Sequence, residues 1–170
     1  MTARLSRKLV ARVLLPLLVA APVAVLVVGQ MGLFSGQQPP QLGVTGGRLT
    51  APSETNNSVS SQANLYPEHP QRIHAATAAL SWRAGGAVAS MQALLQALEA
   101  QPGITVIEET PDYVYAQART HWLGFVDDLE FWANPATQVI EVRSASRLGR
   151  EDLGANRQRV EAIRSAYQER

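Results

Sequence analysis

The chain's strongest hydrophobic feature is at its start. Val13 to Val28 is an unbroken apolar run containing Pro16 and Pro22, and Met31 to Phe34 extend it after Gly29 and Gln30. Sixteen apolar residues cover about 24 Å at about 1.5 Å per residue, and about 22 with that step suffice to cross a hydrocarbon core of about 30 Å. Beyond it, Ser35 to Ser61 carries Gln37-Gln38-Pro39-Pro40, Gly46-Gly47 and Asn56-Asn57, a turn-rich composition that predicts a linker over 35–61. Leu42, Val44 and Leu49 are spaced so that part of it can lie on the domain that follows.

Residues 62–170 read as that domain. Ile73 to Trp82 is ambiguous, with an extended start. Val88, Met91, Leu94, Leu95 and Leu98 recur at helical spacing and stop at Pro102-Gly103, predicting an amphipathic helix over about 86–100 with this stripe as core. Ile104 to Glu109 and Tyr113 to Thr120, around Pro111-Asp112, predict one hairpin; Phe125 to Ala133 and Gln138 to Arg147, around Asn134-Pro135, predict another. A last helix is expected from Asp152 or Leu153 to Tyr167, with Leu153, Val160, Ile163 and Tyr167 on its apolar stripe. The expected fold is α+β: a two-layer domain with a four-stranded antiparallel sheet and two packing helices, preceded by one N-terminal transmembrane helix.

Charge gives the expected orientation. Arg4, Arg7, Lys8 and Arg12 precede the apolar run with no acid among them, so residues 1–34 read as a cytoplasmic basic flank and membrane anchor, with the rest exported. A cleaved signal peptide is the competing reading. Pro22 directly after Ala21, and an apolar run that continues past that point, favour an uncleaved anchor. The expected location is therefore the membrane, single-pass, with a periplasmic or otherwise extracytoplasmic domain and with residues 13–34 meeting the lipid bilayer.

From residue 35 onward the chain has 11 Arg, no Lys and 14 acids, a balance of −3. That balance gives a nucleic-acid partner no electrostatic support. With no cysteine in the chain, disulfides, thiolate nucleophiles and Cys-ligated metals are excluded. No HExxH, EF-hand or Gly-x-Ser-x-Gly pattern accompanies His69, His74 and His121, so neither metal, cofactor nor hydrolase chemistry is expected. His69 and His74 are expected to be exposed.

The chemistry-bearing residues concentrate in the second hairpin and the last helix. Strand alternation puts Asp127, Leu129 and Phe131 on one face and Asp128, Glu130 and Trp132 on the other; Glu141, Arg143 and Ala145 likewise oppose Val142, Ser144 and Ser146. A hairpin register that sets Asp128 or Glu130 across from Arg143 would give ion pairs. The candidate constellation is Arg119, Asp128, Glu130, Arg143, Ser144, Ser146, Arg147, Asn156 and Arg157, with Asp127 and Arg159 beside it. One reading is an anion site for carboxylate or phosphate, in which Arg143 to Arg147 is joined by free N–H groups of the helix starting near Asp152. The other is a semi-buried network that fixes strand register and docks the last helix. Trp122, at the loop before the third strand, can gate a cavity or rest near lipid.

Leu123 to Phe131, Val142 to Gly149 and Asp152 to Glu161, together with Leu42 to Leu49 and Val59-Ser60-Ser61-Gln62, resemble the family catalogued as domain of unknown function 1499. The resemblance implies no established reaction. It also implies two cysteines where Pro52 and Ser58 stand here, so this chain lacks any staple they form in relatives. The resulting expectation is a membrane-tethered envelope domain that acts by binding a protein partner, lipid or small anionic ligand. The alternative is an enzyme or binder of an anionic ligand built on the Arg/Asp/Ser constellation.

Overall fold

The computed structural model describes residues 7–170, with side chains described from residue 16. Its elements are α1 (Arg7–Gln30), β1 (Ser58–Ser60), a 3-10 turn (Ala63–Leu65), α2 (Arg72–Ala75), β2 (Leu80–Ser81), α3 (Gly86–Glu99), β3 (Ile104–Glu109), β4 (Tyr113–Arg119), β5 (Val126–Asn134), β6 (Val139–Ser146) and α4 (Ala155–Gln168). The fold is α+β. The expected span over residues 13–34 begins outside the residues whose side chains are described. Among the described residues no helix is long and apolar enough to cross a membrane.

The sheet has six strands rather than four. Its order is β1-β6-β5-β4-β3, every strand pair is antiparallel, and β2 joins the same edge of β6 as β1. The two hairpins lie where the alternation puts them. The added strands are three and two residues long, too short to carry a periodicity. They exist because the outer edge of β6 needs partners for its backbone: β1 takes residues 143–145 and β2 takes residues 139 and 140. β3 at the opposite edge is interrupted by a bulge between Val106 and Glu108 and carries Glu108 and Glu109, devices that discourage further pairing.

One face of the sheet packs on α3 and α4. Leu129, Phe131, Val114, Ile140 and Val142 meet Met91, Leu94, Leu98, Val160, Ile163 and Tyr167 in a continuous apolar core. At 100° per residue this buried row on α3 runs through Ser90, Met91, Leu94, Ala97 and Leu98, leaving Val88 well off it and exposed, contrary to its expected core position. Leu153 is likewise outside, 84 % exposed, because α4 starts two residues later than the stripe suggests. The Asp152 carboxylate accepts the N–H groups of Gly154 and Asn156, and this turn puts Leu153 at φ 51° ahead of the helix.

The other face is covered by the segment expected to be a linker. Leu49 is buried against Tyr113, Tyr115 and Trp132, with Leu42 packed beside it, and residues 58–60 of the same segment are β1 itself. Between Pro52 and Ser58, the Ser58 Oγ accepts the Ser53 N–H at 2.8 Å, so a hydrogen bond fastens this loop. With both faces covered, every residue of β5 is buried. Phe131→Ala removes a fully buried ring from the centre of the larger core and is expected to cost about 3–5 kcal/mol in urea denaturation.

Candidate functional site

β5 sets three carboxylates inside the protein. On the linker-covered face, Glu130 lies directly across from Arg143, and its Oε2 accepts Arg143 Nη1 at 3.2 Å. Its Oε1 accepts the Tyr113 hydroxyl at 3.0 Å and the Gly43 N–H at 2.7 Å. Arg143 Nε donates to the Ala51 carbonyl at 3.2 Å, tying the same pair to the covering segment. Two positions along the strand, Asp128 receives a forked contact from Arg147: Nη2 to Oδ1 at 2.7 Å and Nε to Oδ2 at 2.9 Å. The Tyr115 hydroxyl donates to Asp128 Oδ1 at 2.6 Å and accepts from Gln117 and Arg147. Both carboxylates therefore sit in pairs that satisfy their remaining lone pairs, the condition under which a buried ion is tolerated.

The opposite face holds a second network. Asp127 Oδ2 accepts Arg159 Nη2 at 2.6 Å. Asn156, fully buried in the first turns of α4, is its hub. Its Oδ1 accepts the Ser144 hydroxyl at 2.5 Å and Arg159 Nη1 at 2.8 Å. Its Nδ2 donates to the Asn57 carbonyl, Ser146 Oγ and Asp152 Oδ2 at 2.8–3.0 Å. One amide thus joins the residue just before β1, the strand β6 and the start of α4.

The candidate constellation is divided accordingly. Arg143, Arg147, Asp128 and Glu130 are together on one face, while Ser144, Ser146 and Asn156 are together on the other. The two-residue period of β6 explains the division and keeps the two guanidiniums and the two hydroxyls from converging on one ligand. At the start of α4 the Gly154 and Asn156 N–H groups donate to the Asp152 carboxylate and the Ala155 N–H to the Asp152 backbone carbonyl, so these groups are already engaged. Arg157 stands apart, donating to the carbonyls of His74 and Ala76 at the end of α2. Arg119 also stands apart: its guanidinium donates to the carbonyls of Gly29 and Gln30 and to Ser35 Oγ, closing the C-terminal end of α1.

The three histidines lie on separate segments. His69 is largely buried rather than exposed, with its Nδ1 accepting the Gln71 N–H at 3.1 Å and its Nε2 3.6 Å from Glu54 Oε1. Among the described residues no group of His, Asp and Glu is arranged to hold a metal. A shallow cavity of about 200 Å³ beside the start of α4 is lined by Phe125, Leu148, Ser146, Asp127, Glu151 and Asp152. Its charged lining is acidic, which disfavours an anion there.

Tyr113, Tyr115 and Asp152 stand outside the candidate constellation read from the sequence. Register was the missing signal for the tyrosines: once Tyr115 is paired with Glu130, alternation places both phenols on the face of the buried acids. Burial first, and then the adjacent carboxylates Glu130 and Asp128, push both phenols above the ordinary tyrosine value. For Asp152, burial raises the pKa, but the hydrogen bonds from the Asn156 and Gly154 N–H groups outweigh it and hold the carboxyl below its ordinary value.

Two outcomes are expected. Arg143→Met strands Glu130 without its counter-ion and should destabilise the domain by about 3–5 kcal/mol in denaturant titration. Adding Glu130→Gln recovers part of the loss, because the stranded charge disappears while an acceptor for Gly43 remains. In pH titrations, the raised phenols contribute stability below about pH 10 that is lost as pH rises further. The lowered Asp152 contributes stability above about pH 4 that is lost as pH falls through its folded value. Tyr113→Phe should flatten the alkaline fall and Asp152→Ala the acid one.

Neither the curated proteins nor the solved structures compared with this chain give a match. A family model does, described as protein of unknown function (DUF1499), over residues 48–167. The matched segment begins beside Leu49, whose side chain closes the tyrosine face, and ends at Tyr167, the last core residue of α4, so it takes in the side chains of both buried networks but not the Gly43 N–H that Glu130 accepts. The chain belongs to the DUF1499 family.

Proposed function

We propose that this protein is a membrane-tethered domain of the cell envelope that acts by binding rather than by catalysis. The observation that carries the tether is α1. Leu17, Leu18, Val19, Val23, Val25 and Val27 are exposed along it, while its C-terminal end is fastened to the sheet domain by Gln30 and Arg119. Apolar side chains on several sides of a helix suit a lipid surrounding. The basic residues before Val13 and the acid-free stretch from Met1 to Ser53 fit an anchor whose N-terminus stays in the cytoplasm.

The absence of a role in catalysis rests on how the charged groups are used. Asp127, Asp128 and Glu130 each face a guanidinium of this chain at 2.6, 2.7 and 3.2 Å. These groups hold strands, α4 and the covering segment together, and each already has its partner. The same pairing weighs against the anionic-ligand alternative, since Arg143 and Arg147 would have to give up buried acids to take a ligand.

Reporter fusions after residue 170 test the topology. An alkaline phosphatase fusion should be active and a green fluorescent protein fusion dark, with the chain retained in carbonate-washed membranes. A fluorescent, phosphatase-inactive pair, or release of the chain by carbonate, contradicts the reading.

A further inference from the structure

The loop between β4 and β5 is locked to the end of α1. Gln30 Nε2 donates to the carbonyls of His121 and Trp122 at 2.6 and 2.9 Å, and Phe34 stacks on Phe125 with ring centroids 5.1 Å apart. The backbones touch. A Cβ at Gly29 would come within 2.5 Å of the Leu123 carbonyl, and one at Gly124, where φ is +67°, within 2.5 Å of the Gly29 carbonyl. The Arg119 guanidinium closes the same junction from the side.

On this fixed loop the Trp122 side chain points outward. Trp122 is 69 % exposed, and Met31 and Leu33, just past the end of α1, are 81 % and 67 % exposed. An open groove lined by Leu26, Val27, Gln30, Met31, His121 and Trp122 joins the loop to the exposed apolar surface of the helix. No carboxylate occurs in residues 1–53 or 113–126, so the patch carries no negative charge of its own. An indole with an apolar body and one N–H donor, set at the exit of an apolar helix, has the chemistry of the membrane–water interface.

We propose that Trp122, Met31 and Leu33 form an interfacial collar that seats the domain directly on the lipid bilayer, with the indole at headgroup depth. This rests on the tethered reading and adds an orientation to it. The β4–β5 loop faces lipid, and the β5–β6 turn at residues 135–138 points away, about 30 Å off along the nine residues of β5. The domain does not swing on a free linker, because the chain leaving α1 is bound to it at once.

The absence of cysteine makes the test direct. In the full chain reconstituted into phosphatidylcholine vesicles, Trp122→Cys or Thr137→Cys gives one site for a polarity-sensitive nitrobenzoxadiazole dye. The dye at 122 should be blue-shifted, quenched several-fold more by lipids brominated near the headgroup than by lipids brominated at the chain end, and shielded from aqueous iodide. The dye at 137 should show the reverse: iodide quenching and no response to brominated lipid. Leu33→Cys, which keeps Trp122, should repeat the pattern seen at 122.

Iodide quenching at 122 and 33 equal to that at 137, in chains that float with the vesicles, overturns the collar and leaves the tether standing. A chain that does not float overturns both. A blue shift without bromolipid quenching means that a second copy or another protein covers the patch, and overturns the collar as well.

Discussion

The structure is organised around β5, a central strand buried on both faces that nevertheless carries Asp127, Asp128 and Glu130. A carboxylate removed from water costs several kcal/mol unless a counter-ion and hydrogen bonds replace its hydration. Three such groups on one strand therefore dictate much of what surrounds it. β6 supplies Arg143 and the residue just past the strand, Arg147, on one face, α4 supplies Arg159 on the other, and the tyrosines of β4 fill remaining acceptor positions. The covering segment takes part too, through the Gly43 N–H and the Ala51 carbonyl. Charge pairing across β5 and apolar packing beneath it thus specify the same register, so a slip of β6 by one residue would strand the acids as well as expose the core.

The long elements were legible in the sequence for a physical reason. α3 and α4 bury a helical stripe, the hairpin strands are runs rich in Val, Ile and Tyr, and Gly, Pro and Asn-Pro mark the ends and turns. An acid of β5 facing Arg143 was legible from alternation and a tight turn, but the choice between Asp128 and Glu130 follows only from the register, which pairs Glu130 with Arg143. β1 and β2 were not, because Ser-Val-Ser and Leu-Ser have no period of their own and become strands only through the edge of β6. The covering segment was hidden in a similar way. Its Gln, Pro and Gly content reads as solvent-loving, yet one buried Leu49 and a few backbone groups attach it to the polar face. At the site, alternation already divided the acids, guanidiniums and hydroxyls between two faces, but the groups that complete each network, Tyr113, Tyr115 and the Gly43 N–H on one face and the Asn57 carbonyl on the other, come from segments distant in sequence.

The same economy of contacts operates at the N-terminal end. Arg119 was grouped with the charged residues of β5 and β6, but its position on β4 takes it to the helix carbonyls, where it closes a helix end instead of binding an acid. The family match over residues 48–167 takes in the side chains of the buried networks and the β4–β5 loop that meets α1, while α1 itself lies outside the matched residues. What the attachment adds is orientation: the end of the sheet carrying Trp122 is the end fastened to the apolar helix.

The buried guanidiniums of Arg143, Arg147 and Arg159 each pair with an acid of β5 inside the fold. A double-mutant cycle on Asp128 and Arg147, using Asp128→Asn, Arg147→Met and the pair, measures this pairing most directly through unfolding free energies. A large coupling is expected, with each single change costing about 3–5 kcal/mol and the double change costing well under their sum. Additive single effects, or an Arg147→Met variant as stable as the parent, would contradict it.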